Sequence, residues 1–311
     1  MSDVSFREAD RLEITILTDN YTDMLMIQGT ESTRRPQIPP PRALLAEHGL
    51  SCLLTVSAGP EKHSVLMDAG ISSGCLFHNA DLLNADLKTI ESVALSHGHF
   101  DHFGGLYDLL KRVDKKTLLH LHPDAFLARR LNIPAIGRPV DVPALDEAAL
   151  MKAGAVIQKS GSPVPLASGL IWMTGEVERT TPFEKGFPWA EAKIGDKWVV
   201  DPFRDDQAAV VKLRDKGLVI LSGCAHAGII NTVEHAKKIA KADRVHAVLG
   251  GFHLTGPLFD PIIKPTIDEM KRINPDYIVP MHCTGWKAIN RFAEEMPRQF
   301  VLNTVGTIHV Y

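Results

Sequence analysis

The chain has 311 residues, 45% hydrophobic and 23% charged, with a formal net charge of −3. This is the balance of an ordinary packed protein, and it excludes a fibre, a disordered chain and a nucleic-acid binder working by blanket phosphate neutralisation. Asp3, Arg7, Glu8, Asp10, Arg11 and Glu13 crowd the opening residues and no apolar run is long enough to cross a bilayer, so Cys52, Cys75, Cys224 and Cys283 are expected as reduced thiols of a cytoplasmic protein.

Leu12, Ile14 and Ile16 alternate with polar residues as in a half-buried strand that stops at Thr18-Asp19-Asn20. Residues 29–41 hold four prolines and Arg34-Arg35 and predict a surface loop, which within 29–49 would border an active site. Two strands over 50–56 and 64–67 form a hairpin, the second ending at Asp68-Ala69-Gly70. A helix is predicted over 82–90, a short strand over 92–96, a helix from Leu106 and a strand over 117–121. Residues 123–165 read as irregular with some helix, followed by strands at 170–173, 198–200 and 218–221. The last third alternates helix 229–240, strand 245–249, helix 265–273, strand 277–280 and helix 286–295. Alternation of this kind predicts an α/β architecture, and with no low-complexity linker the expectation is one domain over 1–311.

The chemistry concentrates in Ser96-His97-Gly98-His99-Phe100-Asp101-His102-Phe103-Gly104-Gly105. Three imidazoles and a carboxylate, placed where a strand breaks into a loop, supply nitrogen and oxygen donors suited to zinc, iron or manganese. His97 and His99 can face one ion while Asp101 and His102 turn to a second roughly 3.5–4 Å away. This pattern resembles the His-x-His-x-Asp-His signature of the metallo-β-lactamase superfamily. The resemblance implies a four-layer sandwich of two mixed β-sheets flanked by helices, with two metal ions in a cleft between sheet edges.

It also implies an orienting aspartate at an upstream strand end, which Asp68 supplies, and a late histidine ligand, which His282 supplies after the strand Tyr277-Ile278-Val279-Pro280-Met281. The bridging Gly-Asp of the superfamily has no match; Gly223-Cys224-Ala225-His226 stands in that neighbourhood. Cys224 then either donates a thiolate to the metals or is a buried apolar thiol, His226 is a ligand or a proton carrier, and Glu176 is a candidate for the intervening ligand. His253, after Gly250-Gly251, is expected to contact substrate or move a proton; Asp19 and His48 are expected to meet substrate. The amides opening helix 229–240 are expected to face the site as an anion-binding terminus.

Further phrases, among them Asp201-Pro202-Phe203, Asp205-Asp206-Gln207, Gly250-Gly251-Phe252-His253 and His282-Cys283-Thr284-Gly285, are similar to the subgroup named for 7,8-dihydropterin-6-yl-methyl-4-(β-D-ribofuranosyl)aminobenzene-5′-phosphate synthase. The function expected is a metal-dependent hydrolase, with Asp101, His226 and His253 catalytic, that turns a metal-activated hydroxide on a phosphorylated or acyl small molecule. The alternatives are a transferase condensing a pterin diphosphate with an aminobenzene ribofuranosyl phosphate, and a non-catalytic metal-dependent sensor. Two divalent metals, zinc with iron or manganese as substitutes, are the implied cofactor. Neither phosphate-binding glycine motif is present, so no nucleotide cofactor is implied. A small anionic substrate is the expected partner, with no nucleic acid and no membrane; subunit number carries no sequence signal.

Overall fold

The computed structural model describes residues 5–311. An eight-stranded mixed sheet runs in the order 155–159, 117–121, 92–94, 61–67, 51–58, 11–18, 308–310 and 33–34. A seven-stranded sheet runs 164–166, 171–173, 208–213, 217–222, 245–251 and 277–281, with Glu8–Ala9 alongside Ala208–Leu213.

Period-2 side-chain alternation makes each sheet two-faced. Val65 and Met67 point into the layer between the sheets with Leu12, Ile14 and Ile16, and there they meet Val219, Leu221, Leu249 and Val279 of the other sheet. Leu66 points the opposite way, joining Val93 and Leu119 under Leu76, Leu106, Leu109 and Leu110 of the helices Ser73–Leu82 and Leu106–Val113. On the far side Leu218, Ile220 and Val248 are covered by the helices Ile229–Ala240, Asp260–Ile273 and Trp286–Glu295. Val233, Ala236 and Ala240, spaced by three and four, are the stripe that seats the first of these. The result is the expected order of helix, sheet, sheet, helix.

Four local differences stand out. The helix predicted over 82–90 lies instead at Ser73–Leu82, capped by Ser72, and only a single 3₁₀ turn, Leu87–Thr89, falls in the predicted span. One of its inward residues is polar: Asn79 is fully buried and donates to the carbonyls of Leu17 and Leu45, so no apolar stripe announces the helix. The helix predicted from Pro265 begins at Asp260, because Pro261 takes the first-turn position where a missing N–H costs nothing. The span read as irregular contributes Arg129–Leu131 and Val140–Val142 to a small third sheet with Ala190–Ile194 and Lys197–Val200. The Pro-rich loop is tied down: Arg35 donates to Thr304, Thr307 and the Leu302 carbonyl, and Arg34 pairs with Glu13. Among the described residues, no helix is long and apolar enough to cross a membrane.

Candidate metal centre

Both sheets end their strands at one cleft. The strand Ser92–Ala94 delivers His97 and His99 on a loop and Asp101 and His102 on the short helix Phe100–Phe103. From the other sheet, Gly217–Ser222 delivers Cys224 and His226, Val245–Gly251 delivers His253, and Tyr277–Met281 delivers His282. Close approach of the ligand loops requires glycine at Gly98 and Gly223, among others. A Cβ on Gly98 would lie 2.1 Å from the Ala125 carbonyl oxygen, and one on Gly223 would lie 2.1 Å from Ser96 Oγ.

The donors gather in three overlapping groups, each with its ligand atoms within 4.8 Å of one another: Asp101, His102, Cys224 and His282; His97, His99 and His226; and Cys224, His226 and His253. Cys224 thus takes part in two of them, with Sγ 3.2 Å from His102 Nε2. His226 Nε2 lies 3.2 Å from His99 Nδ1. His226 therefore occupies the position among the first histidines for which Glu176 was a candidate. Glu176 is corrected: its side chain is exposed on the rim of a separate cavity beside Arg179 and Arg204, because its strand Ile171–Met173 stops short of the cleft.

Orientation comes from buried hydrogen bonds. Asp68 accepts from the Ser96 amide, from Ser96 Oγ and from His102 Nδ1, all at 2.7 Å. With its proton given to Asp68, Ser96 Oγ accepts from His97 Nδ1 at 2.9 Å, which leaves Nε2 of both histidines as the lone-pair atom. Asn20 Oδ1 accepts from His282 Nδ1 at 3.2 Å. Asp19 is corrected as a substrate contact. It is 2% exposed, and its oxygens accept from the His282 amide and from Asn303, whose own oxygen accepts from the buried His309. His48, by contrast, stands exposed at the mouth with Nε2 3.5 Å from Asp101 Oδ2.

Several residues that position the centre carry no assigned role in the sequence reading: Arg129 is absent from it, and 201–207 enters it only as phrases of the resemblance. Arg129, buried, pairs with Asp201 at 2.6 Å and Asp205 at 2.7 Å, and Asp205 also accepts from the Gly98 amide. Phe203 stacks on His226 at 4.3 Å, and Asp206 accepts from the Ala227 amide. Their signal was visible as the acidic phrases 201–207, whose charges are too dense for an ordinary buried strand approach. The helix terminus expected to bind an anion is occupied internally: Glu184 accepts from the amides of Ile230 and Asn231. A negative charge at a helix start is favourable, and here the chain supplies its own.

The electrostatics divide the donors. Burial, reinforced by the neighbouring positive charge of Arg129, lowers the His99 pKa to about 3, and burial likewise holds His97 and His226 well below the usual imidazole range. Burial opposes charge on His102 too, but Asp101 and Asp68 outweigh it and raise its pKa to about 9. Burial also opposes the Asp101 carboxylate, yet His102 and His282 hold it well below the usual carboxylate range. The Cys224 thiol is pushed up by burial.

The buried nitrogens His97 Nε2 and His282 Nε2 have no hydrogen-bond partner among the described residues. Leaving such atoms unsatisfied costs about 1–3 kcal/mol each, and a shared cation relieves it. The donor chemistry fits: imidazoles, one carboxylate and one thiol suit zinc or iron, the thiol disfavouring harder ions.

Residues 51–223 match the model of the metallo-beta-lactamase superfamily. The chain belongs to the metallo-β-lactamase superfamily. It is 33% identical, over 85% of its length and 90% of the relative's, to the 7,8-dihydropterin-6-methyl-4-(beta-D-ribofuranosyl)-aminobenzene-5'-phosphate synthase of Methanocaldococcus jannaschii. A second, uncharacterized protein of that organism is 32% identical over 86% of this chain and 94% of its own. Among solved structures, a metal-dependent hydrolase of the beta-lactamase superfamily aligns with a TM-score of 0.73 at 23% identity, covering 96% of this chain and 98% of its own. The metallo-beta-lactamase fold protein YhfI from Bacillus subtilis aligns at 0.51 and 12% identity, over 97% and 100%. These two likenesses concern the fold.

Proposed function

We propose that this member of the superfamily is a metal-dependent transferase that joins the methylene carbon of a dihydropterin diphosphate to an aromatic amine bearing a ribofuranosyl phosphate. The observation that carries this reading is the character of the cavity over the donors. It opens onto His48, His99, Asp101, Cys224, His226 and His253, and beside Arg129, Arg130 and Cys283 its wall carries an apolar face formed by Phe100, Leu131, Val142, Phe187 and Ala190. Flat apolar walls suit a planar heterocycle, and the 33% identity with the M. jannaschii synthase supports the same chemistry.

His97, His99 and His226 would hold one metal ion, and Asp101, His102, Cys224 and His282 a second. Bound divalent metal supplies positive charge against which a diphosphate can depart. In the condensation the methylene C–O bond breaks with its electron pair leaving on the diphosphate, and a C–N bond forms to the amine. The amine's surplus proton passes to an imidazole at the mouth, where His48 is held beside the Asp101 carboxylate. Phe100 and Phe187 keep water from the carbon, and that exclusion separates condensation from hydrolysis.

The test mixes zinc- or iron-loaded protein with hydroxymethyl-dihydropterin diphosphate and aminobenzene ribofuranosyl phosphate and follows products by mass spectrometry. Condensed product with release of diphosphate is expected, and the His97→Ala/His99→Ala variant should lose both metal and product. Free hydroxymethylpterin as the sole product would replace this reading with the hydrolytic one.

A further inference from the structure

The cavity over the metal donors has a volume of about 210 Å³, below the roughly 300–1,000 Å³ of a typical ligand pocket and small for two organic reactants. A second cavity of about 420 Å³ lies directly against it, and the two share His226 and His253 as lining. The partition between them is aromatic. His253 meets Phe259 edge-on at 4.7 Å and Phe187 at 5.5 Å, and Phe187 and Phe259 are 5.6 Å apart. His253 is held there in left-handed backbone, with φ of 47°, a conformation that costs a non-glycine residue energy and persists where the surroundings impose it.

The second cavity has its own chemistry. Phe183, Phe252, Leu254, Leu258, Phe259 and Ile262 give it apolar walls. Its carboxylate, Glu184, is committed to the helix amides of Ile230 and Asn231 and so is not free to meet a ligand. Lys185, exposed at the edge, makes no hydrogen bond or ion pair among the described residues, which leaves one unpaired cation beside an apolar chamber.

We infer that this chamber is a second substrate compartment, taking an aromatic molecule whose phosphate reaches Lys185 and whose other end meets the metal-side cavity at His253. In the condensation proposed above, on which the identity of this ligand rests, it is the place of the aromatic amine, while the pterin occupies the metal-side cavity. Two compartments meeting at one imidazole bring amine and methylene carbon together without either displacing the other, which is the positional advantage a two-substrate enzyme needs.

The experiment measures binding by calorimetry to metal-loaded protein, using aminobenzene ribofuranosyl phosphate, its phosphate-free counterpart, and hydroxymethyl-dihydropterin diphosphate. Leu258→Trp, which fills the chamber, should weaken the aminobenzene phosphate at least tenfold and leave metal content and pterin diphosphate affinity unchanged. Lys185→Ala should weaken the phosphorylated aminobenzene about five- to twentyfold and leave the phosphate-free compound unaffected. A folded Leu258→Trp protein with wild-type affinity overturns the inference, as does a parallel loss of pterin affinity. Should Leu258→Trp fail to fold, Lys185→Ala alters an exposed side chain and decides alone: equal affinity for the phosphorylated probe overturns the inference. If no condensation occurs but these binding differences hold, the proposed reaction fails and the compartment stands; if condensation occurs and the variants bind as wild type does, the reaction stands and the compartment falls.

Discussion

Replacing Asp68 by asparagine should weaken metal binding by the His102 group without touching a ligand. Asp68 is fully buried and accepts three hydrogen bonds of 2.7 Å. An asparagine of the same shape keeps one oxygen, sufficient for the Ser96 amide, and turns an NH₂ toward Ser96 Oγ and His102 Nδ1. Two donors then face each other at His102, which must carry its proton on Nε2 instead. Nε2 is the atom 3.2 Å from Cys224 Sγ and 3.7 Å from Asp101 Oδ2, so the lone pair intended for metal is lost. Loss of an orienting partner typically lowers metal affinity 10–100-fold, about 1.4–2.7 kcal/mol. The upper end is expected here, because Asp68 is sealed from solvent and water cannot substitute for it. Zinc affinity of the two proteins, measured by competition with a chromophoric chelator at one pH, tests this. An Asp68→Asn affinity within twofold of wild type would refute the claim that Asp68 sets the His102 tautomer.

Metal loading should depend on pH in two parts. His99, at about 3, and His97 and His226, well below the usual range, are already neutral at pH 6, so uptake by that trio should be flat from pH 6 to 8. His102, at about 9, must shed a proton and so must the Cys224 thiol, which burial pushes up, so uptake by their group should strengthen by up to about a hundredfold per pH unit below 9, with proton release measurable by calorimetry in buffers of different ionisation enthalpy. Cobalt-substituted protein should show a thiolate-to-metal charge-transfer band that Cys224→Ser abolishes; an unchanged spectrum would place Cys224 outside the coordination. Asp206, raised to about 7 by burial, holds its proton when folded while the unfolded chain releases it near 3.8. That contribution to stability is full below about pH 4 and lost as pH rises through 7. Asp206→Asn should therefore match wild type in thermal melts near pH 4 and exceed it at pH 8, by up to about 4 kcal/mol; equal melts at pH 8 would count against it.

The donors were legible because they follow directly from strand ends in a short motif: His97, His99, Asp101 and His102 are consecutive enough that one loop must present them together. His282 was legible for a related reason, since an apolar strand running into a histidine leaves the side chain little choice of location. Glu176 was misread by the same rule. It too follows a strand, but that strand pairs near the sheet edge and its loop turns outward past Gly161. Asp19 was misread because an aspartate at a strand end fits a ligand and a backbone acceptor equally, and only the spatial neighbourhood of His282 and Asn303 decides. The Arg129, Asp201 and Asp205 cluster joins residues more than seventy positions apart, a separation that no local periodicity encodes. The strand Ile308–Val310 escaped because so short a run carries too few periods to be told from loop, and Ala208–Leu213 because it is buried on both faces and shows no polar alternation.

Half of the donor set rides on one sheet and half on the other. A bound ion would therefore act as a rivet through the middle of the sandwich, and its loss should be felt as loosening of the whole seam between the layers. Chelation should then expose the buried Val65, Met67, Leu249 and Val279 face to hydrogen exchange well before either sheet unravels. On this view occupancy of the cleft and cohesion of the fold are one variable, and a cell short of metal would lose the protein itself along with its turnover.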